Sequence, residues 1–347
     1  MSATSASAKA IRVGMLSFAH YHANFWSEVL AGERVLAGIW DSDVERGREA
    51  AERFGVPFRD DLDALLDECT AVGICSETSR HPELVRAAAE RGLAVLCEKP
   101  IATDDASAAT IVEAVRTHGI TFMQSFPKRY DPVSHRIKAA VDQGELGELT
   151  LVRVRHGHHY GLTDDFRTRW YVQPELAGGG ALLDEGVHGA DLLAWLFGLP
   201  VAVSAVVSRA ALGLPVEDLG VATFEFESGL VAELTASFTF AGADASIELY
   251  GTRGSLLVAG VDLASRDLTD ERFVRVFREA ERSLGWQTEP LVPRFKQGQY
   301  HQQNAIQFLA CLRTGAPPPV TVDDGARALR MIRAAYRAAS TGTRQRV

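Results

Sequence analysis

The 347-residue sequence is poor in several features that mark special classes of protein. It has only four cysteines and no C-x-x-C pair, which argues against a disulfide framework or a cysteine zinc site. Cys75 and Cys97 lie in apolar runs and are expected to be reduced, buried thiols of a cytoplasmic protein. Positive charge is not in excess either. The formal net charge of −9 argues against nucleic acid or an anionic membrane as a partner.

Long hydrophobic runs are also missing. The most apolar region, Leu192–Val207, is interrupted by Gly198 and Pro200 and is too short to span a bilayer, so no membrane association is expected. Residues 1–9 are rich in serine and alanine without an apolar signal core and are predicted to form a disordered tail. With 46% hydrophobic residues, the rest of the chain can form two globular domains.

Strands and helices are predicted to alternate through the first third of the chain. The strands are predicted at Ile11–Ser17, Val35–Trp40, Val72–Ser76, Leu93–Cys97 and Thr121–Ser125. The helices are predicted at Ala19–Leu30, Val44–Phe54, Leu62–Glu68, Pro82–Arg91 and Asp105–Thr117. This order is typical of an α/β, doubly wound parallel sheet of the Rossmann type that binds a dinucleotide. We assign residues 10–126 to this domain.

The second half has a different pattern and is predicted to be an α+β domain over residues 127–347. Hairpin-like strands are expected at Leu149–His158, Val201–Ser208, Leu219–Glu227, Leu230–Phe240, Ser246–Tyr250 and Ser255–Ala259. Their order indicates a largely antiparallel open sheet with one face in need of cover. Helices are expected at Pro132–Gln143, Ala181–Phe197 (straight or bent), Gln299–Thr314 and Asp323–Ala339.

Two strand ends in the first domain carry candidate cofactor residues. The apolar run Leu93–Cys97 is followed at once by Glu98 and Lys99, and ligands of open α/β sheets bind at such carboxyl ends. Asp41 follows the second strand, where a carboxylate can accept hydrogen bonds from ribose hydroxyls and repel a 2′-phosphate, which favours NAD over NADP. A turn or helix-cap role for Asp41 is the alternative.

The turn after the first strand lacks the expected glycines. The G-x-G-x-x-G positions are held by Ser17, Ala19 and His22, although the helix N-terminus that follows still offers N–H groups to an anion. We expect this turn to bind the pyrophosphate, with the side chain of Ser17 or His22 in place of close glycine backbone.

Several motifs together resemble the Gfo/Idh/MocA oxidoreductase family over residues 10–347. They are Ser79-Arg-His-Pro82, Glu98-Lys-Pro100, Phe126-Pro-Lys-Arg-Tyr-Asp-Pro132, Gly144-Glu-Leu-Gly-Glu148, Leu176-Ala-Gly-Gly-Gly-Ala181 and Asp184-Glu-Gly-Val-His188 with Asp191. The resemblance implies catalytic positions at Lys99, Asp184 and His188. It also implies that the open sheet packs against another subunit in a homodimer or homotetramer. The turn without glycines departs from the family pattern.

These residue types suit the interconversion of an alcohol and a ketone. His188 can accept the hydroxyl proton, because the pKa of an imidazole is near neutral pH. Asp184 lies four residues earlier on a predicted helix and could orient the His188 ring. Lys99 could stabilise an oxygen that becomes alkoxide-like, or share in proton transfer if its pKa is depressed.

Further binding residues are predicted with less specific signals. The cofactor set is completed by Ser76 and His81 beside Ser17, Ala19, His22, Asp41, Glu98 and Lys99. The substrate set is Arg129, Tyr130, His158, Trp170, His188 and Tyr300, with surface charge as the alternative for Arg129. His156 and His158 share one face of a strand, but without cysteine partners we expect substrate-pocket groups and no metal.

The sequence leaves three classes of function open. The first is an NAD(H)-dependent dehydrogenase that acts on a sugar, cyclitol or related polyol. The second is an NAD-assisted glycoside-cleaving enzyme of the same fold, and the third is a non-catalytic cofactor- or sugar-sensing regulator. The joint presence of Lys99, Asp184 and His188 argues against the regulator.

Overall fold

A computed structural model describes residues 10–241, 245–261, 274–291 and 299–347. Its first sheet has five parallel strands in the order β2-β1-β3-β4-β5: β1 (Val13–Leu16), β2 (Leu36–Trp40), β3 (Ala71–Ile74), β4 (Ala94–Cys97) and β5 (Phe122–Gln124). All five predicted strands are present, and the α/β class is confirmed. The predicted tail at residues 1–9 lies outside the described residues.

Helices α1 (His22–Gly32), α2 (Val44–Phe54), α3 (Leu62–Asp67), α4 (His81–Glu90) and α5 (Asp105–His118) connect these strands. Their ends follow from local sequence. Asp43 accepts a hydrogen bond from the Arg46 N–H at the start of α2, and Gly55 ends that helix at φ 65°, where a residue without a Cβ is favoured. Such caps fix where each strand ends, and therefore where the side chains that follow it lie.

The second sheet has nine strands in the order β13-β12-β11-β10-β6-β9-β8-β7-β14. The strands are β6 (Leu149–Gly157), β7 (Ala202–Ser208), β8 (Leu219–Glu225), β9 (Val231–Ser237), β10 (Ala245–Gly251), β11 (Gly254–Val261), β12 (Val274–Arg278), β13 (Gln287–Glu289) and β14 (Gln345–Arg346). Among the described strands of this sheet, only β6 and β9 pair in parallel, so the predicted largely antiparallel character is confirmed. The short strands β12, β13 and β14 were not predicted.

The remaining helices are α6 (Pro132–Asp142), α7 (Pro174–Ala177), α8 (Ala181–Asp184), α9 (Gly186–Phe197), α10 (Gln299–Thr314) and α11 (Val322–Thr341). Leu193 of α9, Leu234 of β9 and Ile332 of α11 belong to one hydrophobic core, so α9 and α11 cover one face of the second sheet. The other face is partly open, and Val206 there is 70% exposed.

The C-terminal helices return to the first sheet. Phe308 and Leu309 of α10 are buried in one cluster with Val13, Met15 and Trp26 of the first domain. This packing brings the start of α10, including His301, next to the turn that follows β1. The predicted boundary between residues 126 and 127 falls between β5 and α6 and stays a prediction.

Candidate active site

A cavity of ≈ 420 Å³ lies where the strand ends of the first sheet face the second sheet. It is lined by His20, Tyr21 and His22 after β1, Lys99 after β4, Lys128 after β5, His156 and His158 at the end of β6, Asp184, Glu185 and His188 around the start of α9, and His301 of α10. Loop residues between Tyr160 and Tyr171 complete the wall. Charged and titratable groups from both domains thus meet in one enclosed space, as expected of a ligand site.

Lys99 is a buried cation that lines this cavity. Its Nζ donates hydrogen bonds to the Asp184 side chain over 2.5 Å and to the Asp184 carbonyl oxygen over 3.1 Å. Burial alone would lower the pKa of Lys99, but the charges of Asp184, Glu185 and Glu98 raise it above its usual value. The alternative in which a depressed pKa lets Lys99 share in proton transfer is therefore not favoured. The raised pKa favours the protonated form of Lys99, which acts as a positive charge in the cavity.

The backbone bends between Asp184 and His188. The helix predicted over Ala181–Phe197 is bent, because α8 ends at Asp184 and α9 begins at Gly186. Asp184 consequently contacts Lys99, and the expected contact between Asp184 and His188 is replaced by this ion pair.

His188 is buried beside Lys99. Burial and the charge of Lys99 lower the pKa of His188 well below its usual value, so its imidazole is neutral. Its Nδ1 atom has no hydrogen-bond partner among the described residues. A neutral imidazole beside a fixed cation is suited to accept a proton from a bound hydroxyl.

Glu185 is a second carboxylate that the sequence reasoning missed. It is 8% exposed, and its two oxygens lie 2.9 Å from His156 Nδ1 and 3.6 Å from His158 Nε2. Burial would raise the pKa of Glu185, but His158, His156 and Lys99 lower it well below its usual value. Its place inside the Asp184–His188 motif was the available signal. The direction of the Glu185 side chain could not be predicted, because it depends on the bend between α8 and α9.

The turn after β1 is organised by Ser17 and Asp41 instead of glycine. Ser17 adopts φ 72°, in the left-handed region that favours glycine. Its hydroxyl donates to Asp41 over 3.2 Å and accepts the Ala19 N–H over 3.1 Å, and the Phe18 N–H donates to Asp41 over 2.7 Å. These hydrogen bonds stabilise a turn that usually requires glycine, although Ser17 is not a glycine.

Asp41 is also paired with Arg46 of α2. The guanidinium donates from Nε and Nη2 to the two carboxylate oxygens over 2.8 and 2.6 Å. In this structure the oxygens expected to bind ribose are thus occupied by protein donors. Ribose binding by Asp41 stays a prediction, and it requires at least part of this pair to open.

Histidines surround Glu98 beneath the turn. His22 Nδ1 lies 3.3 Å from Glu98 Oε2, and the His22 ring centroid is 3.7 Å from that of His301. Glu98 is fully buried, yet neither of its carboxylate oxygens accepts a hydrogen bond from a described residue. A buried carboxylate of this kind lacks the donors that normally offset its desolvation, and hydroxyl groups of a bound ligand would supply them.

Two groups in this region bring possible metal ligands together. The ligand atoms of His20, His22 and Glu98 lie within 4.8 Å of one another, as do those of His158, Asp184 and Glu185. Asp184 is already neutralised by Lys99. The expectation of no metal stays a prediction.

The other predicted cofactor residues lie behind the cavity wall. His81 is buried, and its Nδ1 lies 2.9 Å from the Pro100 carbonyl oxygen, so the ring fastens the loop that carries Lys99. The Ser76 hydroxyl donates to the Glu77 carbonyl over 3.1 Å. Neither residue lines the cavity.

Of the six predicted substrate residues, only His158 and His188 line the cavity. Arg129 instead forms a buried, two-bond ion pair with Asp191 at 2.8 and 2.7 Å and contacts Asp324 at 3.1 Å. The Trp170 indole N–H donates to the Ala19 carbonyl over 3.0 Å. Tyr130 and Tyr300 are largely buried in side-chain packing. The structure therefore places these four outside the cavity.

A doubly wound sheet, a substrate domain and a cleft with a lysine, a histidine and two carboxylates define a class of dinucleotide-dependent oxidoreductases. Residues 10–126 match the family model described as an oxidoreductase family with an NAD-binding Rossmann fold. Residues 134–257 match the GFO/IDH/MocA C-terminal domain. The chain therefore belongs to the Gfo/Idh/MocA oxidoreductase family, as its motifs predicted.

Relatives that cover most of the chain include sugar and inositol dehydrogenases. Myo-inositol 2-dehydrogenase of Thermotoga maritima is 27% identical, covering 86% of this chain and 86% of that protein. D-xylose 1-dehydrogenase (NADP(+)) 2 of Haloferax volcanii is 29% identical, covering 90% of this chain and 92% of that protein. A levoglucosan dehydrogenase in complex with NADH and levoglucosan superimposes with a TM-score of 0.85 at 21% identity, covering 97% and 99% of the two chains. Among the described residues, no helix is both long and apolar enough to cross a membrane.

Proposed function

We propose that this protein is an NAD(H)-dependent dehydrogenase that interconverts an alcohol and a ketone on a sugar, cyclitol or related polyol. The observation that carries the proposal is that Lys99 and His188 line one cavity at the strand ends of the Rossmann sheet. The raised pKa of Lys99 and the lowered pKa of His188 favour a protonated lysine beside a neutral histidine. Relatives that act on inositol, xylose and levoglucosan support the class of substrate.

Lys99 and His188 have different roles in the proposed reaction: Lys99 supplies positive charge and His188 accepts the proton. Lys99 has three N–H donors, two of which are directed to Asp184, so one remains for the reacting oxygen. Its charge stabilises that oxygen as it becomes alkoxide-like. His188 takes the hydroxyl proton, and Asp184 holds Lys99 in place. When bound, the nicotinamide dinucleotide supplies the hydride acceptor.

The residues around the first sheet fit this cofactor. Glu98 offers a buried carboxylate without donors, which suits the hydroxyls of a ribose. Ser17, Ala19 and His22 lie in the turn where a pyrophosphate binds in this fold, with Asp41 at the end of β2. Ser76 and His81 support the loop that carries Glu98 and Lys99.

We further propose that NAD(H) binds better than NADP(H). A 2′-phosphate would lie against the Asp41 carboxylate, which favours the unphosphorylated cofactor. The Arg46 guanidinium offsets part of that charge, so the preference should be modest.

The partly open face of the second sheet supports assembly into a homodimer or homotetramer, because the exposed Val206 would be covered there. Light scattering of the purified protein tests this. The buried, unpaired thiols of all four cysteines are in keeping with a cytoplasmic location.

The proposal is tested by a panel of inositols, aldoses, sugar acids and glycosides, each with NAD+, followed by NADH absorbance. Steady NADH formation with one polyol class is the expected result. Glycoside turnover without net NADH would indicate the glycoside-cleaving alternative. Binding of cofactor and sugar without turnover would indicate a regulator.

A further inference from the structure

Glu185 sits at the bend between α8 and α9 and faces the cavity with its carboxylate. The function proposed above does not use it. Its oxygens contact His156 and His158, which lie at the end of β6. The ring centroids of His156 and His188 are 4.9 Å apart. His156 therefore lies between the Glu185 carboxylate and His188, the proposed base.

We propose that Glu185 is a positioning residue that stabilises the protonated state of the His188–His156 pair and so holds the proton released by the alcohol. This rests on the function proposed above. A bound nicotinamide ring would accept the hydride as the C–H bond breaks and the carbonyl forms. The hydroxyl O–H bond breaks at the same time, and its proton goes to the His188 imidazole. The adjacent Glu185–His156 contact offsets the new positive charge.

The charges around His188 explain why such a residue is needed. Lys99 from the end of β4 and Lys128 from the turn after β5 both oppose protonation of His188. Asp184 from α8 cannot counter them, because it is paired with Lys99. Asp165 of the cavity wall is paired with Arg169. Among the described residues that line the cavity, Glu185 is left as the carboxylate that faces the histidines.

Distance supports the same assignment. Unit charges a few ångströms apart interact strongly in a buried site, because little water is present to screen them. His156 lies within hydrogen-bonding distance of Glu185 and beside His188, so the carboxylate acts on the base through one ring.

The first test follows histidine signals by NMR in NAD-saturated protein, with His156 and His188 assigned by single substitutions to glutamine. As the pH is lowered, Glu185→Gln should make both residues protonate at lower pH than in the parent protein. Glu175→Gln, an exposed glutamate ten residues earlier, is the matched control and should change neither. This readout needs no substrate. Unchanged histidine titration in Glu185→Gln overturns the proposal even if the enzyme is active.

The second test is the pH dependence of kcat with the polyol from the panel that gives the fastest NADH formation. Loss of the Glu185 charge should lower the pKa of His188, the proposed base. The fall of kcat for alcohol oxidation on the acid side, the acid limb, should therefore move to lower pH. The plateau should fall by about tenfold or more, because a base of lower pKa takes the proton less readily. Glu185→Asp keeps the charge and should restore the position of the limb.

A purely structural role would lower kcat without moving the limb, and that result contradicts the proposal. Stoichiometric zinc in the purified protein, lost in Glu185→Gln, would also overturn it, because His158, Asp184 and Glu185 would then be metal ligands. If no substrate in the panel turns over while the histidine titration shifts as expected, the proposed function fails and the assignment of Glu185 as the histidines' counter-charge stands.

Discussion

At the scale of single residues, His188 is expected to act on turnover and not on cofactor binding. It comes from α9 of the second domain, whereas the predicted cofactor residues lie on the first sheet. His188→Ala should lower kcat roughly a hundredfold or more, the range for loss of a general base. Fluorescence titration should give an NADH dissociation constant close to that of the parent. Near-normal turnover would remove His188 from the mechanism.

Arg129 is expected to stabilise the folded protein and not to bind the substrate. Its guanidinium links Asp191 of α9 to Asp324 of α11 in a buried site. Arg129→Met would leave Asp191 without its cation and should lower the unfolding free energy by about 3–5 kcal/mol. Urea unfolding measures this. Arg116→Met, which breaks the exposed pair with Asp323, is the control and should cost less than about 1 kcal/mol. Equal losses in the two variants would contradict the assignment.

At the scale of elements, the β1 turn and α2 act together on cofactor choice. Asp41→Ala removes the carboxylate and frees the Arg46 guanidinium, which can then pair with a 2′-phosphate. The ratio of the dissociation constants for NADP(H) and NAD(H) should fall, measured by calorimetry with each cofactor. Arg46→Ala should move the ratio in the opposite direction. Equal affinities of the unmutated protein for both cofactors would refute the preference.

Elements with strong periodicity could be predicted from the sequence, and those defined by tertiary contacts could not. The first sheet was predictable because its strands are short apolar runs bounded by glycine and caps. Strands β13 and β14 have three and two residues and no alternation, so only their pairing partners define them. Lys99, Asp184 and His188 were predicted to meet, and all line one cavity. Asp184 pairs with Lys99 and not with His188, because the backbone bends at Glu185. This bend could not be predicted from the sequence.

At the scale of the whole molecule, buried neutral histidines should make stability depend on pH. Burial and the charge of Lys128 lower the pKa of His156 to about 4. The unfolded histidine binds a proton below its ordinary value of about 6.5, so the unfolded state holds more protons between these limits. The free energy of unfolding should therefore fall as the pH drops through this window, by about 3 kcal/mol from His156. Urea unfolding at several pH values measures it, and His156→Asn should flatten the curve.

The central claim is that Lys99 and the second-domain groups complete an alcohol-oxidising site in the cleft. The most direct measurement is the amount of NADH and of ketone formed per enzyme in a single turnover, for the parent protein and Lys99→Ala. The account predicts equal amounts of the two products in the parent. In Lys99→Ala the rate should be lower by about a hundredfold or more, with NAD(H) still bound. Ketone formation without matching NADH, or near-normal turnover of Lys99→Ala, would contradict the account.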